Sequence, residues 1–210
     1  MKNYFLESCV TTLHDALHAE SNGADRIEVC SRLEIEGMTP DVEVVKSILE
    51  KIRIPLRVMI RETETGFEAD DETVQKMISS IQHFKKLPID GFVIGILKNS
   101  SIDREAMEKL FHHTAPLPIT FHKALDLSKN KWANIEWLND QTSVDNILTS
   151  GGAEKTIDGV VEILKIKSTF NRTIMACGKI THDQLPAIHQ KLNLKWYHGR
   201  NILPLQKMIS

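Results

Sequence analysis

Long apolar runs are missing from this 210-residue sequence, and none approaches the roughly 20 residues that a membrane-spanning helix needs. An excess of charge of one sign is missing too. A net charge of −2, from 26 basic and 28 acidic residues, offers no electrostatic footprint for nucleic acid or an acidic membrane. Cysteine is scarce: the three present are an odd number without zinc-binding spacing, so neither a disulfide framework nor a zinc ribbon is expected. Glu7 interrupts the opening "MKNYFLESCV" too early for a signal peptide. No linker, low-complexity tract or composition shift divides the chain. These absences predict a cytoplasmic protein with reduced thiols, one domain over residues 1–210, and no nucleic-acid or membrane partner.

What is present is a regular alternation of short apolar runs with longer amphipathic ones. Strands are expected at residues 4–10, 26–31, 56–61, 91–97, 119–123, 146–150, 173–177 and 196–198. Helices are expected between them, at 12–22, 40–51, 71–87, 103–114, 132–139, 153–168 and 181–192. Thr39-Pro40, Asp70-Asp71 and Thr181 read as helix starts. Strict alternation requires parallel strands joined by helical crossovers. Eight units of about 26 residues suit a closed TIM-type (β/α)8 barrel better than an open flavodoxin-like sheet. A weak repeat agrees, because "GADRIEV", "PIDGFVI" and "SVDNILT" place Asp25, Asp90 and Asp145 just before a strand. Only "NILPLQKMIS" follows the eighth strand, so the last helix is expected to be short or incomplete, or its edge to be covered by a partner subunit.

Active sites in such barrels gather at the C-terminal ends of the strands. The polar residues there are Glu7 and Cys9, Glu28 and Cys30, Arg61, His122 with Lys123 and Asp126, the turn "TSGG" ending in Ser150, Gly151 and Gly152, and His198. Glu7 and Cys9 are two apart, as are Glu28 and Cys30, so each pair shares one strand face. Both pairs are expected to point into the barrel mouth from neighbouring strands. Glu7 and Glu28 either partner Arg61 in a buried ion network or supply acid–base chemistry. The "TSGG" amides either form a plain turn or hold an anion. Cys177 reads as a small buried hydrophobe. Cys9 and Cys30, with Met59 nearby, offer the soft ligands that suit Cu(I).

Taken in order, "LESCV", "NGADRIEVCSRLEIEGMTP", "IPLRVMIR", "PITFHKALD", "ILTSGG" and "WYHGR" resemble the CutC family of copper homeostasis proteins along essentially the whole chain. The resemblance implies a cytosolic TIM-type barrel, a homodimer, and Cu(I) held by the cysteines matched here by Cys9 and Cys30. It maps the family's polar mouth onto Glu7, Glu28, Arg61, His122 and Asp126. The chain departs from the family pattern at Lys123, where arginine is usual, and at "ACGKI", where a glycine-rich turn is usual; the family's C-terminal extension is also missing.

Two functions are therefore expected. In one, Cys9 and Cys30 bind a copper ion, with Met59 or Cys177 completing the site. In the other, an enzyme holds a small anionic metabolite with Arg61, Lys123 and the 150–152 amides, His198 lining the site. Glu7 or Glu28 is then the base and His122 the acid, with Asp126 beside them. A third, blander role is a mouth that is only a structural ion network.

Overall fold

The computed structural model describes residues 3–204. Eight parallel strands close a barrel in chain order: β1 (Phe5–Val10), β2 (Arg26–Val29), β3 (Leu56–Met59), β4 (Gly91–Ile94), β5 (Ile119–Phe121), β6 (Val144–Thr149), β7 (Thr173–Ala176) and β8 (Trp196–Gly199), which pairs with β1. Seven helices connect them: α1 (Leu13–Ser21), α2 (Val42–Leu49), α3 (Asp71–Phe84), α4 (Arg104–Thr114), α5 (Lys131–Asp140), α6 (Val160–Thr169) and α7 (Leu185–Leu192). The TIM-type barrel expected from the alternation is the fold observed. None of the helices is long and apolar enough to cross a membrane among the described residues. The expected short last helix falls mostly on residues 205–210, outside the described residues; no helix occupies 200–204.

Alternation along each strand sorts the side chains into two populations. Leu6, Val10, Ile27, Val29, Leu56, Val58, Phe92 and Ile94 belong to the main apolar core with the helices. Glu7, Cys9, Arg26, Glu28, Arg57 and Met59 occupy the alternate positions, and all are buried. The barrel lumen is thus charged and sulfur-rich where many such barrels carry layers of branched aliphatics. Its apolar content is two small clusters, Cys30–Met59–Val93 and Leu148–Met175–Cys177.

The repeated aspartates serve the lower rim. Asp25 accepts the backbone N–H of Leu6 at 2.7 Å, joining β1 to the turn before β2. Asp145 takes two bonds from the buried Arg57 guanidinium, at 2.8 and 2.5 Å, while Asp90 lies 3.5 Å from its Nε and Thr120 adds a contact at 2.6 Å. One arginine therefore ties β3 to the starts of β4 and β6.

Helix starts follow local chemistry with three adjustments. Asp70 caps α3 as expected, accepting from Thr73 N at 2.8 Å. Asp41 rather than Thr39 caps α2, because Thr39 exchanges bonds with the Arg61 backbone instead. α7 begins at Leu185 behind Gln184, not at Thr181. α6 begins seven residues later than expected, since Gly159 packs so tightly on the β6 turn that an added Cβ would lie 1.9 Å from Ser150 O. A short antiparallel hairpin (Leu97–Lys98 with Ser101–Ile102) and two 3-10 segments (Leu33–Ile35 and Lys123–Leu127) had no sequence signal strong enough to expect.

Arg57 is 2% exposed, so removing its main partner strands a buried charge. Asp145→Ala is expected to cost about 3 kcal/mol, read as a lower urea midpoint at unchanged slope.

Candidate functional site

Register sets the geometry of the mouth. Glu7 lies level with Arg26 on β2 and with His198 on β8, and Cys9 lies level with Glu28. Glu7, Cys9, Glu28, Cys30 and His198 are thereby collected on three adjacent strands, as the two same-face pairs predicted. His198 Nδ1 is 2.8 Å from Glu7 Oε1, and its Nε2 is 3.9 Å from Glu28 Oε1. Donor atoms of Cys9, Glu28 and Cys30 all lie within 4.8 Å of one another, and the same holds for Glu7, Glu28 and His198. The arginine that meets Glu7 is Arg26, through Nε, with its guanidinium carbon 4.3 Å over the Trp196 ring. Arg26 was missed in the sequence, although the period-two pattern Arg26–Glu28–Cys30 carried the signal.

Burial acts oppositely on the two glutamates once partners are counted. For Glu7, burial works to raise the pKa, but Arg26 and the bond to His198 outweigh it and hold the carboxyl at about 2. For Glu28, burial dominates, the neighbouring Glu7 charge adds to it, and the carboxyl is pushed up to about 7 despite His198. Burial disfavours a charged His198, yet Glu28, Cys9 and Glu7 together raise it well above the usual histidine range. The Cys9 thiol is pushed well up, first by its hydrogen bond with Cys30 and then by burial. Two carboxyls of the same type thus differ widely in proton affinity, the arrangement that separates an acid from a base.

Above this cluster opens a cavity of about 200 Å³, with Cys9, Glu28, His198 and Met59 in its lining beside His122 and Lys123. His122 Nδ1 accepts the Ala124 N–H at 3.2 Å, which leaves the ring proton on Nε2. Burial and the Arg61 charge keep this imidazole neutral, with a pKa lowered to about 3. His122 Nε2 and Glu28 Oε2 are both buried without a hydrogen-bond partner among the described residues.

The other expected residues are engaged elsewhere. Arg61 does not partner Glu7 or Glu28. Its guanidinium donates to the carbonyls of Ile35 (2.6 Å), Gly37 (3.0 Å) and Gly66 (3.0 Å), clamping the loops after β2 and β3. Lys123 pairs with Glu36 at 2.8 Å on the rim. Asp126 receives the Thr149 hydroxyl and both the amide (2.8 Å) and hydroxyl (3.0 Å) of Ser150. The Gly151 amide goes to Thr149 Oγ1 at 2.9 Å. Two of the three amides expected to be free for an anion are therefore used by the turn itself. Gly151, at φ +73° and with no room for a Cβ beside Gly159 O (2.4 Å), is there for backbone geometry. Cys177 is buried in the lumen, and burial raises its thiol, as the small-hydrophobe reading expects.

The Glu28 proton has a stability consequence. The folded chain binds it up to about pH 7, against 4.5 for the exposed group. Its contribution is full below the lower value and is lost as pH rises through the upper one. Glu7, shifted the other way to about 2, contributes above 4.5 and loses that only in acid. In urea melts at pH 5 and 7.5, Glu28→Gln is expected to lose less stability across the interval than the wild type does.

Comparison with known proteins agrees with this architecture. Residues 4–202 match the family model described as the CutC family. A human protein named copper homeostasis protein cutC homolog is 32% identical over 198 residues, covering 93% of this chain and 72% of its own. A Caenorhabditis elegans protein of the same name is 31% identical over 205 residues, covering 94% and 80%. The crystal structure of a CutC protein from Streptococcus agalactiae superposes with a TM-score of 0.88 at 29% identity, covering 95% of this chain and 99% of that one. Sequence and fold together make this chain a member of the CutC family.

Proposed function

We propose that this chain is a copper-handling protein that binds Cu(I) through Cys9 and Cys30 at the floor of the barrel mouth. The observation carrying this reading is the convergence of the two thiols and a Glu28 oxygen within 4.8 Å. Met59, packed against Cys30, supplies a further soft atom beside them. Cys9 lines the cavity, whereas Cys30, 1% exposed, does not. The names of the human and nematode relatives support the copper connection. Cytoplasmic location and a homodimer belong to the same proposal. Apolar side chains left exposed at Leu127, Trp132 (42%), Ile157 and Val161 (69%) favour a second copy over that side of the barrel, whereas Trp137 stacks on Phe111 and Trp196 on Arg26.

An anaerobic Cu(I) titration against a competing chelator tests the reading. One ion per chain is expected, with binding lost in Cys9→Ser/Cys30→Ser and unchanged affinity in that variant refuting it. The Cys9 thiol is held protonated at neutral pH. Copper must displace that proton, so affinity is expected to fall about tenfold for each pH unit lost on this account alone.

A second reading is favoured by a separate observation, the divided pair of carboxyls beneath the cavity. In it the mouth holds a small metabolite, with Glu28 moving a proton. His122, being neutral, donates Nε2–H to a developing negative oxygen and does not act as the acid. A screen of small carboxylated and phosphorylated compounds for solvent-deuterium uptake checks this. Glu28→Gln is expected to slow exchange by about 100-fold or more.

A further inference from the structure

The anion holders expected from the sequence, Arg61 and the turn after β6, already have partners inside the protein. Unpartnered groups lie in the neighbouring turn, after β7. There the Thr156 hydroxyl donates to the carbonyls of Cys177 (2.5 Å) and Gly178 (3.0 Å), and the Thr156 amide also donates to Gly178 O at 3.0 Å. In a trans peptide the N–H lies opposite the C=O. The N–H groups of Gly178 and Lys179 are therefore turned away from Thr156, and both residues line the cavity. Neither donates a hydrogen bond among the described residues. Gly178 (φ +111°) and Lys179 (φ +52°) both have positive φ, so the turn departs from the extended strand before it.

Three further features converge on the same cavity. Arg200 on the lip after β8 carries no ion pair among the described residues, while Lys179 and Lys123 also line the cavity, each paired with a glutamate. His122 Nε2, on a residue only 3% exposed, is an unsatisfied donor, and Glu28 Oε2, on one 2% exposed, is an unsatisfied oxygen. Buried polar atoms left unpaired are costly, so a ligand that pairs them gains what the empty protein forgoes. The volume, about 200 Å³, is below the roughly 300–1,000 Å³ of pockets for drug-sized ligands, which restricts the occupant to a short molecule.

We infer that the mouth binds the phosphate monoester of a short polyhydroxy compound, its phosphate on the Gly178 and Lys179 amides and Arg200, its hydroxyl or carbonyl oxygens between His122 Nε2 and Glu28 Oε2. The phosphate sits on the β7–β8 lip, away from the Glu28 carboxyl on β2, where repulsion would be greatest. The loops after the last two strands are also where many barrels of this type hold phosphate. Thr156 is a positioning residue here, fixing the two peptide planes without touching the ligand. The inference rests on the metabolite reading of the mouth and is independent of copper binding.

The experiment is an amide- and histidine-resolved NMR titration of the reduced, chelator-treated full chain with inorganic phosphate, acetate, glycerol and glycerol 3-phosphate. Phosphate is expected to move the Gly178 and Lys179 amides saturably, acetate far less, and glycerol 3-phosphate to move the His122 ring as well. Arg200→Ala and Thr156→Val are each expected to weaken phosphate binding by about tenfold, and Lys191→Ala, at an exposed position of α7, to leave it unchanged. Amides that do not respond to phosphate, that respond equally to acetate, or that respond identically in Arg200→Ala and Thr156→Val overturn the phosphate subsite. If glycerol alone moves His122 while phosphate never moves the amides, the subsite falls and the metabolite reading stands. If nothing moves His122, both fall.

Discussion

Glu7 has no solvent exposure, and a carboxylate taken out of water at the centre of a barrel costs several kcal/mol unless charge and hydrogen bonds meet it. Arg26 and His198 meet it from the two flanking strands, β2 and β8. Because β1 and β8 are the strands that close the cylinder, this small network sits at the seam of the fold. Its geometry then dictates the rest of the mouth. His198 lies between Glu7 and Glu28, and burial first, then the Glu7 charge, push the Glu28 carboxyl up to about 7 although His198 opposes them. The same register sets Cys9 level with Glu28 and one alternate position short of Cys30, so the donor atoms of all three lie within 4.8 Å of one another.

The lumen therefore performs two tasks at different depths. At the lower rim, Arg57 with Asp90 and Asp145 is a strut with no opening onto the cavity. At the upper end, groups are left deliberately short of partners, including one oxygen of Glu28 and one nitrogen of His122. Satisfied charges below and unsatisfied polar atoms above are what a stable scaffold carrying a ligand site requires, since only the unpaired groups have interaction energy left for something from outside. Copper and an organic ligand draw on different parts of that reserve: the soft sulfurs on the β1–β2 side, the amides and cations on the β7–β8 side.

Arg61 shows how strongly the surroundings decide a residue's job. Its place at the end of β3 suggested a ligand-binding or ion-pairing role, yet its two terminal nitrogens donate to the carbonyls of two loops, while Nε is buried without a partner among the described residues. Those loops carry Leu33, Glu36 and Phe67, which line the cavity. Arg61 thus acts on the mouth through the walls it holds. Asp126 is similar, fixing the turn after β6 through the Ser150 amide and hydroxyl.

The sequence by itself determined the architecture, because β/α alternation and the period-two placement of apolar residues are local properties that short-range sterics and burial impose directly. It also determined that Glu7 and Cys9, and Glu28 and Cys30, share a face, since that needs only a strand. Partners were another matter. Whether Glu7 meets Arg26 or Arg61, whether the amides of Ser150 or of Gly178 stay free, and whether His122 is charged depend on register between strands distant in the chain and on how deeply each group is buried. Those are decided by closure of the barrel, which sets distances and desolvation that no local pattern encodes.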